Sequence, residues 1–311
     1  MTGYVMDAQG SRTALPPLLR GKLTTTLGEP ADSFSLTFPY AARWEPVLQK
    51  AVRFQAMDGG ESRFYGVVDE YEISCDREGM LVTVHGRGMA GLLMDNQVGQ
   101  KEYYWVHLTD ILKAYVYPYG ITSVRYDQDW YLGAYAVSYG VTAWQALCGF
   151  TMWSAGITPR FLPDGTLMIS GAEGKRRTLL HPDRVREARF SGCRYGVYSH
   201  VVAKSAATGL ETTVADENFA ALGGQATRRI TIPRKNSCRA GSASPQQVLQ
   251  ASREEYRVLE LKLGELYAGN PGELITVDLP KLGISGLFRV REAENSYGVD
   301  GKTCTLTMGQ V

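Results

Sequence analysis

Residues 68–84 return near the end of the chain as residues 290–306, displaced by 222 positions. Six of the seventeen aligned positions are identical, where ordinary composition gives about one. Both copies predict a strand, a polar break with glycine at one fixed place, and a second, alternating strand. We therefore predict one β-unit built twice, as in a scaffold whose equivalent units occupy equivalent places in a ring. The identical pairs are Val68/Val290, Glu70/Glu292, Glu72/Glu294, Ser74/Ser296, Gly79/Gly301 and Thr83/Thr305.

The size and composition are those of a globular protein of two or three domains. The chain has 311 residues, of which 44% are hydrophobic and 21% charged, so it can bury a core without disulfides or metals. No apolar run approaches the ~18 residues of a membrane span. Residues 1–7 have neither a basic nor an apolar leader segment, so we predict neither a secretory signal nor a membrane anchor.

The cysteines indicate a reducing compartment. They are odd in number, widely scattered and without a C-x-x-C pair, which argues against a disulfide framework or a zinc ribbon. We expect Cys75 and Cys304 to act as small hydrophobic residues within strands. The five are Cys75, Cys148, Cys193, Cys238 and Cys304.

The net charge of +1 conceals an uneven distribution. Residues 173–239 carry thirteen Lys and Arg but only six acidic residues. Such a stretch can be a solvated face, or it can dock an acidic protein surface. Nucleic acid is a weaker partner, because the aromatic residues do not alternate with these charges as a base-stacking surface requires.

The patterning divides the chain into three regions and predicts a mainly β protein with an α+β insert. Residues 1–95 contain antiparallel strands, residues 96–185 mix helices with a hairpin, and residues 186–311 return to strands with one helix at about 244–255. Two strands expected in the last region are 195–205 and 228–232.

Local signals fix two helix starts and one turn. Thr142 with Gln145 three residues later forms a capping-box pattern, which predicts a helix N-terminus. Ser244 before Pro245 predicts another, because Ser caps a helix and Pro favours its first position. Residues 163–165 have the Pro-Asp-Gly sequence of a hairpin turn.

One glycine pattern matches a dinucleotide-binding fingerprint. Gly86, Gly88 and Gly91 follow a predicted strand, and such glycines allow a helix N-terminus to approach a pyrophosphate. The context differs, because Asp110, about 20 residues on, lies in a helical pattern rather than at the end of a strand. We prefer the interpretation that these glycines shape a bulge where the chain leaves the sheet.

The sequence supplies no catalytic, cofactor-binding or metal-binding site residues. The histidines, His85, His107, His181 and His200, lack the spacing of metal ligands. There is no G-x-S-x-G elbow and no Walker loop. Cys193 and His200 are seven residues apart, and this spacing does not show that the two side chains meet in a catalytic dyad.

Two further groups of residues allow alternative interpretations. Glu70/Glu72 and Glu292/Glu294 each share one strand face, so each pair is either solvated or placed for subunit contacts. The aromatic residues between 130 and 139 form either a sugar-stacking or protein-docking surface, or part of the insert core together with anchors of its loops. They are Trp130, Tyr131, Tyr135 and Tyr139.

Several segments together resemble a known family. They are residues 64–68, 82–96, 288–290 and 301–306, with the Gly-Arg-Gly-Met-Ala-Gly-Leu-Leu-Met-Asp-Asn run at 86–96. These segments resemble the baseplate hub proteins of contractile phage tails and related injection machines. In particular, they are similar to the hubs of PBSX-like prophage particles and, more distantly, to the late control D family.

The resemblance implies a homotrimer in which each subunit has two tail-tube-like antiparallel β-barrel domains, 1–95 and 186–311. Three chains would present six barrels to the hexameric tail tube protein, with the trimeric spike protein below and other baseplate proteins around. The implied role is that of a non-enzymatic virion adaptor without cofactors, assembled in the host cytoplasm. The chain shows no lysozyme or peptidase module, which argues against cell-wall hydrolysis. The alternatives are a carbohydrate- or receptor-binding tail module and a peptidoglycan hydrolase.

Overall fold

The computed structural model describes residues 1–27, 32–77, 79–171, 177–178, 182–234, 244–298 and 301–311. The first half of the chain contains the strands β1 (Thr2–Met6), β2 (Arg12–Ala14), β3 (Arg20–Thr26), β4 (Ser33–Pro39), β5 (Arg53–Asp58), β6 (Glu61–Asp76), β7 (Gly79–Gly88), β8 (Lys101–His107), β9 (Val124–Tyr126) and β10 (Tyr131–Val137). The second half contains β11 (Arg160–Phe161), β12 (Leu167–Ile169), β13 (Arg177–Thr178), β14 (Val185–Gly192), β15 (His200–Ser205), β16 (Glu211–Ala215), β17 (Thr227–Ile232), β18 (Arg257–Leu263), β19 (Leu274–Leu279), β20 (Ile284–Gly298) and β21 (Gly301–Gln310).

Helices connect these strands. The α-helices are α1 (Trp44–Leu48), α2 (Ala90–Asp95), α3 (Leu108–Tyr115), α4 (Ala143–Ala155), α5 (Glu217–Ala221) and α6 (Pro245–Glu254). Single 3-10 turns occur at Tyr117–Tyr119, Pro182–Arg184 and Pro280–Leu282. None of the helices in the described ranges combines the length and apolar character needed to cross a bilayer.

One large sheet organises the molecule. Its strands follow the order β14-β18-β21-β20-β3-β4-β7-β6-β5-β1-β2, with β19 beside β20 and β13 beside β19. Every pair along the main path is antiparallel, so the prediction of a mainly β, antiparallel protein is confirmed. The described strands do not close into a barrel, because this path has two separate ends. The two predicted barrels are therefore not found as closed units.

Two halves of this sheet have the same topology. The first half contains β3, β4, β5, β6 and β7, and these lie in the spatial order β3-β4-β7-β6-β5. The second half contains β14, β18, β19, β20 and β21, and these lie in the order β14-β18-β21-β20-β19. When the strands of each half are numbered along the chain, both orders become first-second-fifth-fourth-third.

The central hairpins of the two halves agree residue by residue. In the first hairpin Glu70 lies opposite His85, and in the second Glu292 lies opposite Thr307. These two pairs occupy the same positions after displacement by 222 residues. Every paired position of the two hairpins follows this displacement, from Gly66↔Gly88 with Phe288↔Gln310 to Asp76↔Gly79 with Gly298↔Gly301. Each hairpin also has a bulge at the same place, after Val68 and after Val290. The predicted repeat is therefore a structural duplication.

Matching hydrophobic patterns explain why both halves fold alike. In β4 the alternating residues Phe34, Leu36 and Phe38 are buried, and in β18 the corresponding residues are also buried. Because strand side chains alternate between faces, each set covers one side of its sheet and leaves polar residues on the other. The β18 residues are Leu259, Leu261 and Leu263.

The insert between the halves has its own core, to which α2, α3 and α4 contribute. The predicted capping box is confirmed: the Gln145 backbone N–H donates to Thr142 Oγ1 at 3.1 Å, and the Thr142 N–H donates to the Gln145 side chain at 3.0 Å. Gly156 caps the C-terminus of α4 with a φ of +69°, a left-handed conformation that glycine adopts more readily than other residues. The predicted hairpin around 163–165 is formed by β11 and β12.

The region after β14 differs from the prediction. Strands β15 and β17 were expected within the second barrel, but with β16 they form a separate three-stranded sheet. Strand β15 pairs antiparallel with β16 and parallel with β17. Helix α6 adjoins this small sheet, where the Tyr198 backbone N–H donates to Ser252 Oγ at 3.2 Å. The predicted start of α6 at Ser244 is confirmed by its capping box with Gln247.

Candidate assembly surfaces

The two halves are joined inside one chain by pairing of β3 with β20. The register runs from Thr26 opposite Glu292 to Gly21 opposite Tyr297, and all pairs are antiparallel. Leu23 in the middle of β3 is fully buried, with 1% of its surface exposed. The first strand of the first half, β3, thus pairs with residues 292–297 of the fourth strand of the second half, β20. We call this contact the internal junction.

A salt bridge crosses the internal junction. Lys22 Nζ lies 2.6 Å from Glu294 Oε2, and both side chains are partly exposed. Beside it, Thr25 Oγ1 donates to the Ala293 carbonyl at 3.4 Å. One of the repeated carboxylates, Glu294, therefore joins the two halves within one chain, whereas Glu70 and Glu72 are exposed, and the alternative of subunit contacts stays a prediction.

The counterparts of β3 and β20 in the repeat are β14 and β6. Neither has a partner of this kind among the described strands. Strand β14 pairs on one side only, with β18. Strand β6 pairs with β7 from Gly66 to Asp76 but with β5 only up to Val67, so the other edge of residues 70–75 is open among the described strands. We call β14 and residues 70–75 the two open edges. Open edges expose backbone hydrogen-bonding groups and are sites where another chain can pair.

The open edges carry opposite charges. Arg186 and Arg189 are exposed on β14, where the intervening Glu187 pairs with Lys262, and Glu70 and Glu72 are exposed on β6. Phe190, also on β14, has 40% of its surface exposed. A basic strand with an exposed aromatic ring and an acidic strand are complementary surfaces.

The basic stretch predicted at 173–239 is not one patch. Part of it lies on or beside β14, part on the small sheet, where Arg228 and Arg229 are exposed on β17, and part falls outside the described residues. Outside them are Lys175, Arg176, Lys235 and Arg239, together with His181 and Cys238.

The predicted aromatic surface is divided between core and exterior. Tyr135 is buried, packs against Phe150 and donates from its hydroxyl to the Ala146 carbonyl at 2.6 Å. Trp130 packs against the insert core, whereas Tyr131 and Tyr139 are exposed. The core interpretation therefore holds for two of the four residues.

Two exposed aromatic residues were missed by the sequence analysis. Tyr104 and Trp105 have 72% and 74% of their surfaces exposed, and Trp105 stacks on Tyr131 with ring centroids 6.4 Å apart. Trp105 has a φ of +52°, which is rare for a bulky residue and interrupts the alternation of β8. The three consecutive aromatic residues at 103–105 were the available signal.

The glycine-rich segment shapes the sheet rather than a nucleotide site. Strand β7 is antiparallel to both neighbours, whereas the fingerprint requires a parallel βαβ unit. A Cβ on Gly86 would lie 2.0 Å from the Val67 carbonyl oxygen, so only glycine fits opposite the bulge. The bulge therefore lies on the neighbouring strand β6, opposite Gly86, rather than in the glycine segment where the chain leaves the sheet, and the antiparallel pairing of β7 contradicts the nucleotide interpretation.

Cys193 and His200 each have a hydrogen-bond partner other than the other residue. Cys193 contacts the Tyr195 carbonyl at 3.9 Å, whereas His200 Nδ1 lies 3.0 Å from Ser199 Oγ. In the described part of the chain, no cluster of three His, Cys, Asp or Glu side chains could hold a metal ion.

Arg87 connects the bulge of the first hairpin to helix α2 of the insert core through hydrogen bonds. Its guanidinium donates two hydrogen bonds to Asp69, at 2.7 and 2.8 Å, and two to Asp95, at 2.9 and 2.8 Å. Asp69 is the extra residue of the bulge, and Asp95 ends α2. Hydrogen bonds from Arg87 hold the pKa of Asp95 below its usual range, and those to Asp69 and then Asp95 raise the pKa of Arg87.

We expect Arg87→Ala to lower the free energy of unfolding by about 1–2 kcal/mol at neutral pH, after allowance for partial exposure of these side chains. Because the folded-state pKa of Asp95 is depressed, its contribution is present above the unfolded value and is lost as pH falls through the folded value. The difference from wild type should therefore shrink below about pH 4. Urea unfolding measures it, with the exposed Arg125→Ala as control. An equal difference at about pH 3 and about pH 7 would contradict this role.

No protein-family model matches the sequence, and a search of curated proteins finds no relative. Solved structures do match. A tail protein from Neisseria meningitidis MC58 has 20% sequence identity and a TM-score of 0.77, over 99% of this chain and 96% of that one. The 43 kDa tail protein of prophage MuSo2 from Shewanella oneidensis also has 20% identity and a TM-score of 0.77, over 100% and 98%. The chain has the fold of phage tail proteins.

A more distant match with the tail-protein fold comes from a secretion system. The E. coli protein c3393 has 11% identity and a TM-score of 0.56, over 94% of this chain and 73% of that one. It is described as a component of the type VI secretion system with structural similarity to the T4 bacteriophage tail proteins gp27 and gp5. The fold is therefore shared between phage tails and a secretion apparatus.

Proposed function

We propose that the chain is the structural baseplate hub of a contractile phage tail or related injection particle. In this role it forms a homotrimer that joins the hexameric tail tube to the trimeric spike. The observation that carries the proposal is the duplication: two halves with one strand order and one hairpin register in each chain. Three such chains supply six equivalent units, so a threefold assembly can match a sixfold tube on one side and a threefold spike on the other.

The fold and the surfaces support a structural role. The chain shares its fold with phage tail proteins over nearly its whole length. The prominent features of the site are open strand edges and complementary charges, which serve protein contacts. In this proposal the two halves become tube-like units at 1–95 and 186–311, separated by the insert at 96–185. The protein acts in the virion baseplate after assembly in the host cytoplasm.

Mass measurement in solution tests the proposal. We expect the purified chain alone to sediment at three times its chain mass, and its complexes with the tube and spike proteins of the same particle to contain three copies of this chain. Light scattering should give the same stoichiometry across a tenfold dilution. A strict monomer in every one of these mixtures would overturn the proposed function.

A further inference from the structure

We propose that copies of this chain join through their open edges, with β14 of one copy pairing antiparallel to residues 70–75 of the next. The register is that of the internal junction. This inference rests on the proposed ring assembly and specifies its contact at the level of single residues. It follows because the internal junction joins a first strand to a fourth strand, and the open edges are the remaining first and fourth strands.

The register follows from residues that occupy equivalent places in the two halves. In the first half Gly21 of β3 lies opposite Leu36 of β4, and in the second half Ala188 of β14 lies opposite Leu261 of β18. Leu36 and Leu261 are themselves equivalent, because they lie opposite Val84 and Leu306, which correspond under the 222-residue displacement. Ala188 therefore takes the place of Gly21.

The same equivalence sets the other residues of β14. Lys22 corresponds to Arg189, since they lie opposite Ser35 and Glu260, and Leu23 corresponds to Phe190. On the other side, β20 corresponds to β6 by the displacement of 222. The pairs between copies are then Glu70 with Cys193, Tyr71 with Gly192, Glu72 with Ser191, Ile73 with Phe190, Ser74 with Arg189, and Cys75 with Ala188.

The side chains fit this register. The salt bridge between Lys22 and Glu294 at the internal junction is reproduced between copies by Arg189 and Glu72, with the same signs. Phe190 occupies the place of Leu23, which is 1% exposed where its strand is paired, whereas Phe190 is 40% exposed on the open edge. Pairing the edge brings this apolar ring opposite Ile73.

The pairing is head to tail, and it determines how copies assemble. Each chain offers one β14 and one acidic edge, so every copy contacts two neighbours through different surfaces, and such contacts build a ring when the rotation closes. Within that ring, internal junctions alternate with junctions between copies. Six halves then follow one another in one repeating contact.

Disulfide formation with native cysteines tests the register. Residues opposite each other on antiparallel strands have Cα atoms about 4.5–5.5 Å apart, within the range of a disulfide. Ala188→Cys should therefore cross-link to native Cys75 of the next copy, and Glu70→Cys should cross-link to native Cys193. Both thiols are exposed. Burial raises the pKa values of Cys148 and Cys304 to about 12, which keeps those thiols unreactive.

The experiment uses mild oxidation of the full-length assembly in a Cys238→Ser background, followed by non-reducing electrophoresis. We expect dimer and trimer bands with either added cysteine. The wild type should give none, because in this register Cys75 and Cys193 lie five residues, roughly 17 Å, apart. Arg186→Cys, two residues along β14, is the control for register and should cross-link weakly. Adding Cys75→Ser to Ala188→Cys should abolish the bands.

The outcomes separate this inference from the proposed function. An assembly of trimeric mass that gives no cross-link with either cysteine, or links Arg186→Cys as efficiently as Ala188→Cys, overturns the register while the hub role stands. A protein that is monomeric with and without its tube and spike partners overturns both. Cross-linking at the two proposed positions alone supports the inference.

Discussion

Arg189→Glu is expected to dissociate the assembled chain at concentrations where the wild type is fully assembled. The substitution removes the salt bridge from Arg189 to Glu72 of the next copy and places a third acidic side chain beside Glu70 and Glu72. Like charges across paired strands are destabilising, and the effect recurs at every contact of the ring. We expect each contact to weaken about 10- to 100-fold, equivalent to about 1.4–2.7 kcal/mol.

The reciprocal change makes this result specific. Glu72→Arg alone should weaken assembly as strongly, and the double variant Arg189→Glu with Glu72→Arg should recover most of the loss. Sedimentation velocity over a dilution series measures each species. Arg228→Glu, on the exposed strand β17, is the matched control and should assemble like wild type. A double variant no better than either single variant would show that these two residues are not neighbours.

Phe54→Ala is expected to lower the free energy of unfolding by about 3–5 kcal/mol. The Phe54 ring is fully buried and stacks on Phe34 with centroids 4.2 Å apart, and Phe64 lies at 6.3 Å. Removing it leaves a cavity in the middle of the first half, because neighbouring side chains in a packed core relax only partly.

Urea unfolding in the Arg189→Glu background measures this loss without a contribution from assembly. Phe190→Ala is the matched control: the same ring is deleted, but from the open edge, so unfolding of the single chain should change by less than about 1 kcal/mol. In the wild-type background Phe190→Ala should weaken assembly instead. A loss below about 1 kcal/mol for Phe54→Ala would mean that the three-ring cluster does not hold the first half together.

The features predictable from the sequence are those encoded by nearby residues. The capping boxes at Thr142 and Ser244 and the turn at 163–165 each depend on side chains within a few positions of one another. The repeat was detectable because the hairpin pattern is also local, and both copies retained their glycine and their alternating residues. The same displacement of 222 residues then relates the paired positions of the two hairpins in the sheet.

The features that escaped prediction depend on contacts between distant segments. Nothing in the Thr-rich strand β3 identifies β20, some 270 residues away, as its partner, since polar strands specify their pairing weakly. Strand β15 of the separate sheet has the same alternation of buried residues as the strands of the main sheet, so its pattern does not show which sheet it joins. The exposed Trp105 depends on a positive φ that hydrophobic periodicity does not encode.

The bulge residue shows how far two copies of one unit can diverge in evolution. Asp69 and Arg291 occupy the same place in their hairpins, yet they have opposite charges and different attachments. Asp69 accepts hydrogen bonds from the Arg87 guanidinium, whereas the Arg291 guanidinium donates to Glu255 at 3.4 Å. Because the backbone keeps its geometry whichever side chain stands there, selection can recruit each paralogous half to different neighbours without disturbing their common architecture.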